Sequence, residues 1–232
     1  MHLFNLHEYT VPQLAFYATG AYLWVVAYLI YIRNGFKYGV VEMPVFAACG
    51  NVGWEFVWAL VVSTDLGALC VYAHKAWFLL DLVIFYLVLK YAHKQTDLPL
   101  LKRYWIPVCC FLFVCSAALY GTFVKQGLDV GSTIQSAYIC QLPISFLYIP
   151  LMLKQRSLQG YSVWAGWART FGTGLIGVFA FMRYPDHLFL LTTAVISTLV
   201  DLVYMYLLII RKRELANGVE NSVLDLPVVT AP

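Results

Sequence analysis

Long apolar runs, each interrupted by one or two polar side chains and separated by short loops that carry lysine and arginine, account for most of this chain. Seven of them reach or approach the roughly 20 residues a helix needs to cross bilayer hydrocarbon. They run from Leu14 to Ile32, Val45 to Val62, Ala76 to Leu89, Trp105 to Phe123, Ile134 to Leu153, Ser162 to Phe181 and Leu188 to Ile210. The third is short as drawn and is expected to begin nearer Cys70. The pattern predicts an all-α polytopic membrane protein with seven transmembrane helices: a single domain over residues 1–213, then a loosely ordered cytoplasmic tail over 214–232. No basic stretch precedes the first run, so that run is expected to be a helix of the mature protein and not a cleaved signal peptide.

Composition agrees with the pattern: 62% of the 232 residues are hydrophobic and 12% charged, far from the balance of a soluble globular domain. The net charge of +3 is too small and too scattered for nucleic-acid binding. Its distribution sets an orientation. Arg33, Lys37, Lys90, Lys94, Lys102, Arg103, Lys154, Arg156, Arg211, Lys212 and Arg213 fall on one side of the predicted spans, and only Lys75, Lys125 and Arg183 on the other. By the positive-inside rule the N-terminus is expected outside or in the lumen and the C-terminus in the cytoplasm. Cys49, Cys70, Cys109, Cys110, Cys115 and Cys140 lie mostly within apolar runs and show no zinc spacing, so free thiols are expected.

A repeat is visible within the pattern. Leu79 to Leu87 aligns with Leu199 to Leu207, six matches in nine positions at an offset of 120, including Asp81 with Asp201. Arg33 to Gly39 parallels Lys154 to Gly160 at nearly the same offset. Runs one to three and five to seven therefore read as two parallel copies with the fourth as linker, a 3+1+3 arrangement that places a site between the halves.

The candidate chemistry lies in the polar interruptions. Glu55, Asp81, Arg169 and Asp201 each fall roughly 13 to 17 Å from the cytoplasmic end of their run, counting 1.5 Å per residue. A charge at that depth costs roughly 2.5–3.5 kcal/mol on insertion scales, so such groups are expected to face an internal cavity and pair. Asn51, Trp54, Glu55 and Trp58 share one helical face. Tyr138, Gln141, Ser145 and Tyr148 share another, Thr198, Asp201 and Tyr204 a third, and Thr173 lies one turn from Arg169. One guanidinium cannot compensate three carboxylates, so at least one carboxyl is expected to keep its proton, and a buried neutral carboxylic acid is a proton donor. No Asp-rich metal box, HExxH, CxxC or Ser/His/Asp set occurs, and no metal or other cofactor is expected. The histidines His2, His7, His74, His93 and His187 read as loop or interface residues. Gly172 to Gly177 matches GxGxxG inside an apolar run with no preceding strand, so it reads as a helix-packing surface and not a dinucleotide site. Trp164 reads as part of an interfacial aromatic belt, whereas Trp54, Trp58 and Tyr204 lie on the acid-bearing faces, where their rings suit carbocations.

These residues resemble the small integral-membrane terpene cyclases of fungal meroterpenoid and indole-diterpene pathways, the pyripyropene and paxilline type, with bacterial relatives. The resemblance rests on Asn51-Val52-Gly53-Trp54-Glu55 in the second run, Cys140-Gln141-Leu142 in the fifth, Arg169 and Gly172 with Arg183-Tyr184-Pro185 in the sixth, and Val200-Asp201 with Tyr204 in the seventh. It implies metal-free, protonation-initiated cyclisation of a prenyl chain on an aromatic, indole or polyketide-derived core, an isomerase or lyase reaction starting at a terminal epoxide or olefin. It maps the family acids onto Glu55 and Asp201, with Arg169 and Asp81 as a supporting charge network; Asp81 departs from an amide in a relative. Asn51, Trp54, Trp58, Tyr138, Gln141 and Tyr204 are the expected cavity residues. A hydrophobic prenylated substrate, the bilayer, an upstream prenyltransferase and, for epoxide substrates, an epoxidase follow as partners, in the endoplasmic reticulum if the source is fungal and the plasma membrane if bacterial. A second resemblance competes. Gln141-Leu142-Pro143 and Lys154 to Ser162 are similar to a loop signature of small 3+1+3 sugar and amino-acid transporters, which fit the same architecture without chemistry.

Overall fold

The computed structural model describes residues 2–217, and they contain helices and no strand. The helices are α1 (Val11–Tyr38), α2 (Val45–Phe56), α3 (Ala68–Tyr91), α4 (Pro99–Arg103), α5 (Trp105–Lys125), α6 (Ile134–Lys154), α7 (Val163–Arg183) and α8 (Leu188–Ala216). Each apolar run corresponds to a helix, the second to α2 and the turn that follows it, and the third begins at Ala68, close to the start expected near Cys70. The short α4, which opens on Pro99, has no counterpart in the hydropathy pattern. α8 continues three residues past the expected end of the domain, and the rest of the expected tail lies outside the described residues. Five helical stretches are long and apolar enough to cross a membrane: α1, α3 through Gln95, α5, α6 and α8. Val45–Val61 is apolar but shorter, and α7, which carries Arg169 and four glycines before Val178, is not among the five.

Local sequence explains the ends. Thr10 accepts a hydrogen bond from Gln13 N while Gln13 Oε1 accepts from Thr10 N at 2.8 Å, a capping box that starts α1 with Pro12 in its first turn. Gly39, at φ 65°, closes that helix in the left-handed conformation glycine adopts without penalty. α2 runs into a π-helical turn, Val57–Val61, which begins two residues after Glu55, and π turns of this kind concentrate at functional sites.

Small residues set the packing. A methyl group built on Gly20 of α1 would stand 2.7 Å from Gly172 O, and one on Gly172 would stand 2.7 Å from Trp24 Cδ1, so α1 and α7 touch backbone to backbone. The GxGxxG segment is thus a packing surface, as its context implied. α2 approaches α5 in the same way at Gly53, where Ser116 donates to Gly50 O at 2.6 Å. α8 packs against both α6 and α7, and α1 against α3. The cysteines form no disulfide: Cys49, Cys109 and Cys140 are buried, Cys110 and Cys115 exposed. Trp164 is 80% exposed, as an interfacial residue would be.

One buried carboxyl sits in the α1–α2 loop and was not among the sequence candidates. Glu42 accepts from Ser162 N at 3.1 Å and from Tyr204 Oη at 3.3 Å. Burial pushes it from an ordinary 4.5 up to about 8, against the opposing pull of the Ser162 N–H and the Arg169 charge. The folded state therefore holds a proton that the unfolded chain has released. Its contribution to stability is full below the unfolded value near 4.5 and is lost as pH rises through about 8. Thermal unfolding in detergent across pH 5 to 9 is expected to show a melting temperature that falls on going alkaline, and Glu42→Gln is expected to flatten that slope.

Candidate active site

Toward the end of the bundle where α1, α3 and α6 begin and α2 and α7 finish, the helices leave a cavity among them. The N-terminal segment is tied to the α2–α3 loop at this end. Asn5 Nδ2 donates to Asp65 O at 2.8 Å, Tyr9 Oη to Asp65 Oδ1 at 2.6 Å, and Tyr184 and Ser132 share a hydrogen bond at 2.9 Å. Six aromatic rings line the cavity: Tyr17, Trp24, Tyr28, Trp54, Trp77 and Tyr138. Glu55 is the carboxylic acid that lines it, 2% exposed, with Asn51, Gln141, His74 and Thr173 as its polar neighbours.

His74 corrects the sequence reading. Instead of a loop or interface residue it is a buried member of α3, 2% exposed, with Nδ1 3.3 Å from Glu55 Oε2. Three indoles surround its imidazole, with ring centroids 5.6 Å (Trp54), 6.3 Å (Trp58) and 6.4 Å (Trp77) away. Its Nε2 is buried without a partner. The signal was present in the sequence: with the third run beginning near Cys70, His74, Trp77 and Asp81 fall at i, i+3 and i+7, one face of a helix.

Ser136, also missed, orients the tryptophans. Its hydroxyl accepts from Trp54 Nε1 at 2.7 Å and Trp58 Nε1 at 3.2 Å and donates to Thr133 O. Ser136→Ala would strand two buried indole N–H groups, so a stability loss of about 1–3 kcal/mol is expected, read as an earlier unfolding transition by tryptophan fluorescence.

The remaining charged candidates separate into two groups behind the cavity wall. Asp81 accepts from Asn51 Nδ2 at 2.9 Å, and the same nitrogen approaches Tyr28 Oη at 2.7 Å, so Asn51 connects the cavity to Asp81. Asp201 and Arg169 are both fully buried and face each other at 3.1 Å between Oδ1 and Nη2, an ion-pair distance without hydrogen-bond alignment. Gln141 Nε2, on the cavity side, reaches Ser145 Oγ at 2.9 Å and Asp201 Oδ2 at 3.5 Å. The Arg169 guanidinium lies against Tyr148 and Tyr204, 3.8 and 4.8 Å from their ring centroids, the two rings themselves meeting edge to face at 71°. Tyr204 therefore packs on Arg169 and bonds Glu42, away from the cavity, and Trp58 stands behind His74. Arg169 partners Asp201, whereas Glu55 has His74. Among the described residues no three His, Cys, Asp or Glu side chains gather into a metal-binding set.

A family model for Pyr4-like transmembrane terpene cyclases matches residues 5–214. The chain is 29% identical over 175 residues to terpene cyclase macJ of Penicillium terrestre, an alignment covering 72% of this chain and 65% of that one. It is 27% identical over 228 residues to terpene cyclase ascF of Acremonium egyptiacum, covering 86% and 82%, and 28% identical over 171 residues to Asnovolin H synthase nvfL of Aspergillus novofumigatus, covering 69% and 66%. The match thus spans just under two thirds of the macJ relative's length. No solved structure matches.

Proposed function

Because this chain belongs to the Pyr4-like transmembrane terpene cyclases, we propose that it cyclises the prenyl chain of a meroterpenoid or indole-terpenoid substrate by protonating a terminal epoxide or olefin with Glu55. The observation that carries this reading is the placement of one buried carboxyl in a cavity walled by aromatic rings, with His74 as its side-chain partner. If His74 Nδ1–H donates to Oε2, the acid proton resides on Oε1 and is available to the substrate. After transfer, the same N–H stabilises the carboxylate that remains. The cation then moves among the π faces of Trp24, Tyr28, Trp54, Trp77 and Tyr138, each worth about 0.5–2 kcal/mol to a nearby positive charge. Loss of a proton or capture by an internal nucleophile ends the cascade. A dry pocket shields such cations from water.

In this reading Asp201 and Arg169 are positioning residues. The ion pair holds Gln141 from behind, and Asp81 holds Asn51, so that each charged group presents an amide to the cavity in its place. The protein is read as one seven-span domain with a 3+1+3 repeat and its C-terminus in the cytoplasm. The Tyr28–Asn51–Asp81 and Tyr148–Arg169–Asp201 clusters support the repeat, because Tyr28 and Tyr148, like Asp81 and Asp201, are separated by an offset of 120. A prenyltransferase, and an epoxidase where the epoxide is required, would supply the substrate. If the source is fungal, the endoplasmic reticulum membrane is the expected location. The family match favours this reading over a seven-helix transporter.

Membranes containing the protein, incubated with farnesylated aromatic and indole compounds with and without a terminal epoxide, test the proposal by mass spectrometry. A product of unchanged mass, shifted retention and fewer alkenes supports it. Unchanged substrates across the panel, with folded protein present, would favour transport without chemistry.

A further inference from the structure

A second recess opens between α1 and α3 and is lined mostly by apolar residues. We propose that it is the lateral doorway and binding groove for the substrate's prenyl chain, which passes from the bilayer into the cavity; this rests on the cyclase reading above. The two helices meet closely at one end, where a methyl group on Gly35 would stand 2.6 Å from Leu87 Cδ1. At the other end they part, leaving a cleft lined by Ala18 and Ala21 of α1 and Ala73 and Ala76 of α3. Ala18, Ala73 and Ala76 are exposed. Small side chains on both walls keep the cleft open where Leu69 and Tyr22, at its margin, show the size usual for these helices. From Leu69 to Leu80 it follows α3 for about 16 Å, which suits a long apolar chain lying along the helix.

The cleft and the cavity have Tyr17, His74 and Trp77 in common. These three side chains are the partition, and it is weakly anchored: Trp77 Nε1 and His74 Nε2 are both buried without a partner. An acyl chain of a lipid gains nothing beyond apolar contact here. A prenyl chain threaded tail first past Trp77 delivers its terminal epoxide or olefin to His74, and so to Glu55, which His74 Nδ1 touches at 3.3 Å. The cleft would then orient the chain as well as admit it.

Cys70 lines the cleft and serves as a native reporter. The full chain in phosphatidylcholine nanodiscs would be alkylated with N-ethylmaleimide, and each cysteine followed by peptide mass spectrometry with and without a farnesyl phenol. Expected is a roughly tenfold slowing at Cys70, the signature of a site mostly occupied, with the exposed Cys110 and Cys115 unchanged. Ala73→Phe and Ala18→Phe, which fill the cleft from opposite walls, are expected to abolish that protection and to lower turnover at subsaturating substrate roughly tenfold. Ala118→Phe, at an exposed position on α5, is expected to do neither. The doorway is overturned if Cys70 is unprotected, if hexadecanol protects it equally well, or if both filled variants turn over at the wild-type rate. Protection of Cys70 without any cyclised product leaves the groove standing as a prenyl-binding site and removes the cyclase reading instead.

Discussion

Glu55→Gln is expected to reduce turnover by roughly 10²–10⁴-fold, the range associated with a positioned general acid, while the protein remains folded. The amide has nearly the shape of the acid, and its oxygen can still accept from His74 Nδ1, so the Trp54, Trp58 and Trp77 rings around that imidazole keep their packing. Only the acidic proton is gone. Product formation by mass spectrometry, set against size-exclusion retention and a thermal melt of the same sample, separates chemistry from folding. A well-folded Glu55→Gln protein with wild-type turnover would remove Glu55 as donor and direct attention to Asp201, the other acid that the resemblance carries over.

The second large effect concerns stability. Arg169→Met is expected to destabilise the protein by about 3–5 kcal/mol, because it leaves the Asp201 charge buried with no cation. Asp201 is fully buried, and its remaining contact, Gln141 Nε2 at 3.5 Å, is a weak substitute for a guanidinium. Asp201→Asn is expected to cost less, since the Arg169 guanidinium keeps the faces of Tyr148 and Tyr204. The double variant, which buries no charge at this pair, is expected to regain most of the loss of Arg169→Met. Thermal unfolding of all four proteins closes a double-mutant cycle. Additive effects would mean that the two groups do not act as a pair. If Asp201 only positions Gln141, the double variant should also keep measurable turnover, which a proton donor at that position would not allow.

These two experiments address groups of different legibility. Glu55 and Trp54 could be taken from the chain directly, because an acid and an indole within an apolar run have few places to go except an interior face, and a 3.6-residue period states which residues share it. The same logic placed Asn51, Tyr138 and Gln141 on the cavity. It also showed that the glycines from Gly172 onward were a packing surface, a reading that Gly20 and Trp24 of α1 complete.

Partner choice was not legible. Arg169 lay at a depth compatible with any of three carboxylates, and period and rise give height along a helix but not which neighbour lies across from it. The contacts of α8 with α6 and α7 assign it to Asp201 and leave Glu55 to His74. His74 was not singled out although a start near Cys70 places it within the third run, since hydropathy cannot tell a buried histidine near a helix end from one in a loop. Glu42 and Ser136 carry no motif at all. They matter because tertiary packing buries a loop carboxyl beneath Tyr204 and brings a hydroxyl within reach of two indoles.

The sequence by itself determined an all-helical chain, the long apolar helices, the membrane-cyclase family and the faces that bear acid and aromatic groups, because each follows from local periodicity, composition or a short motif. Only the tertiary structure decided which charges pair and which acid meets the cavity, because those depend on how far α1, α3 and α8 approach their neighbours, which is fixed by contacts between residues distant along the chain.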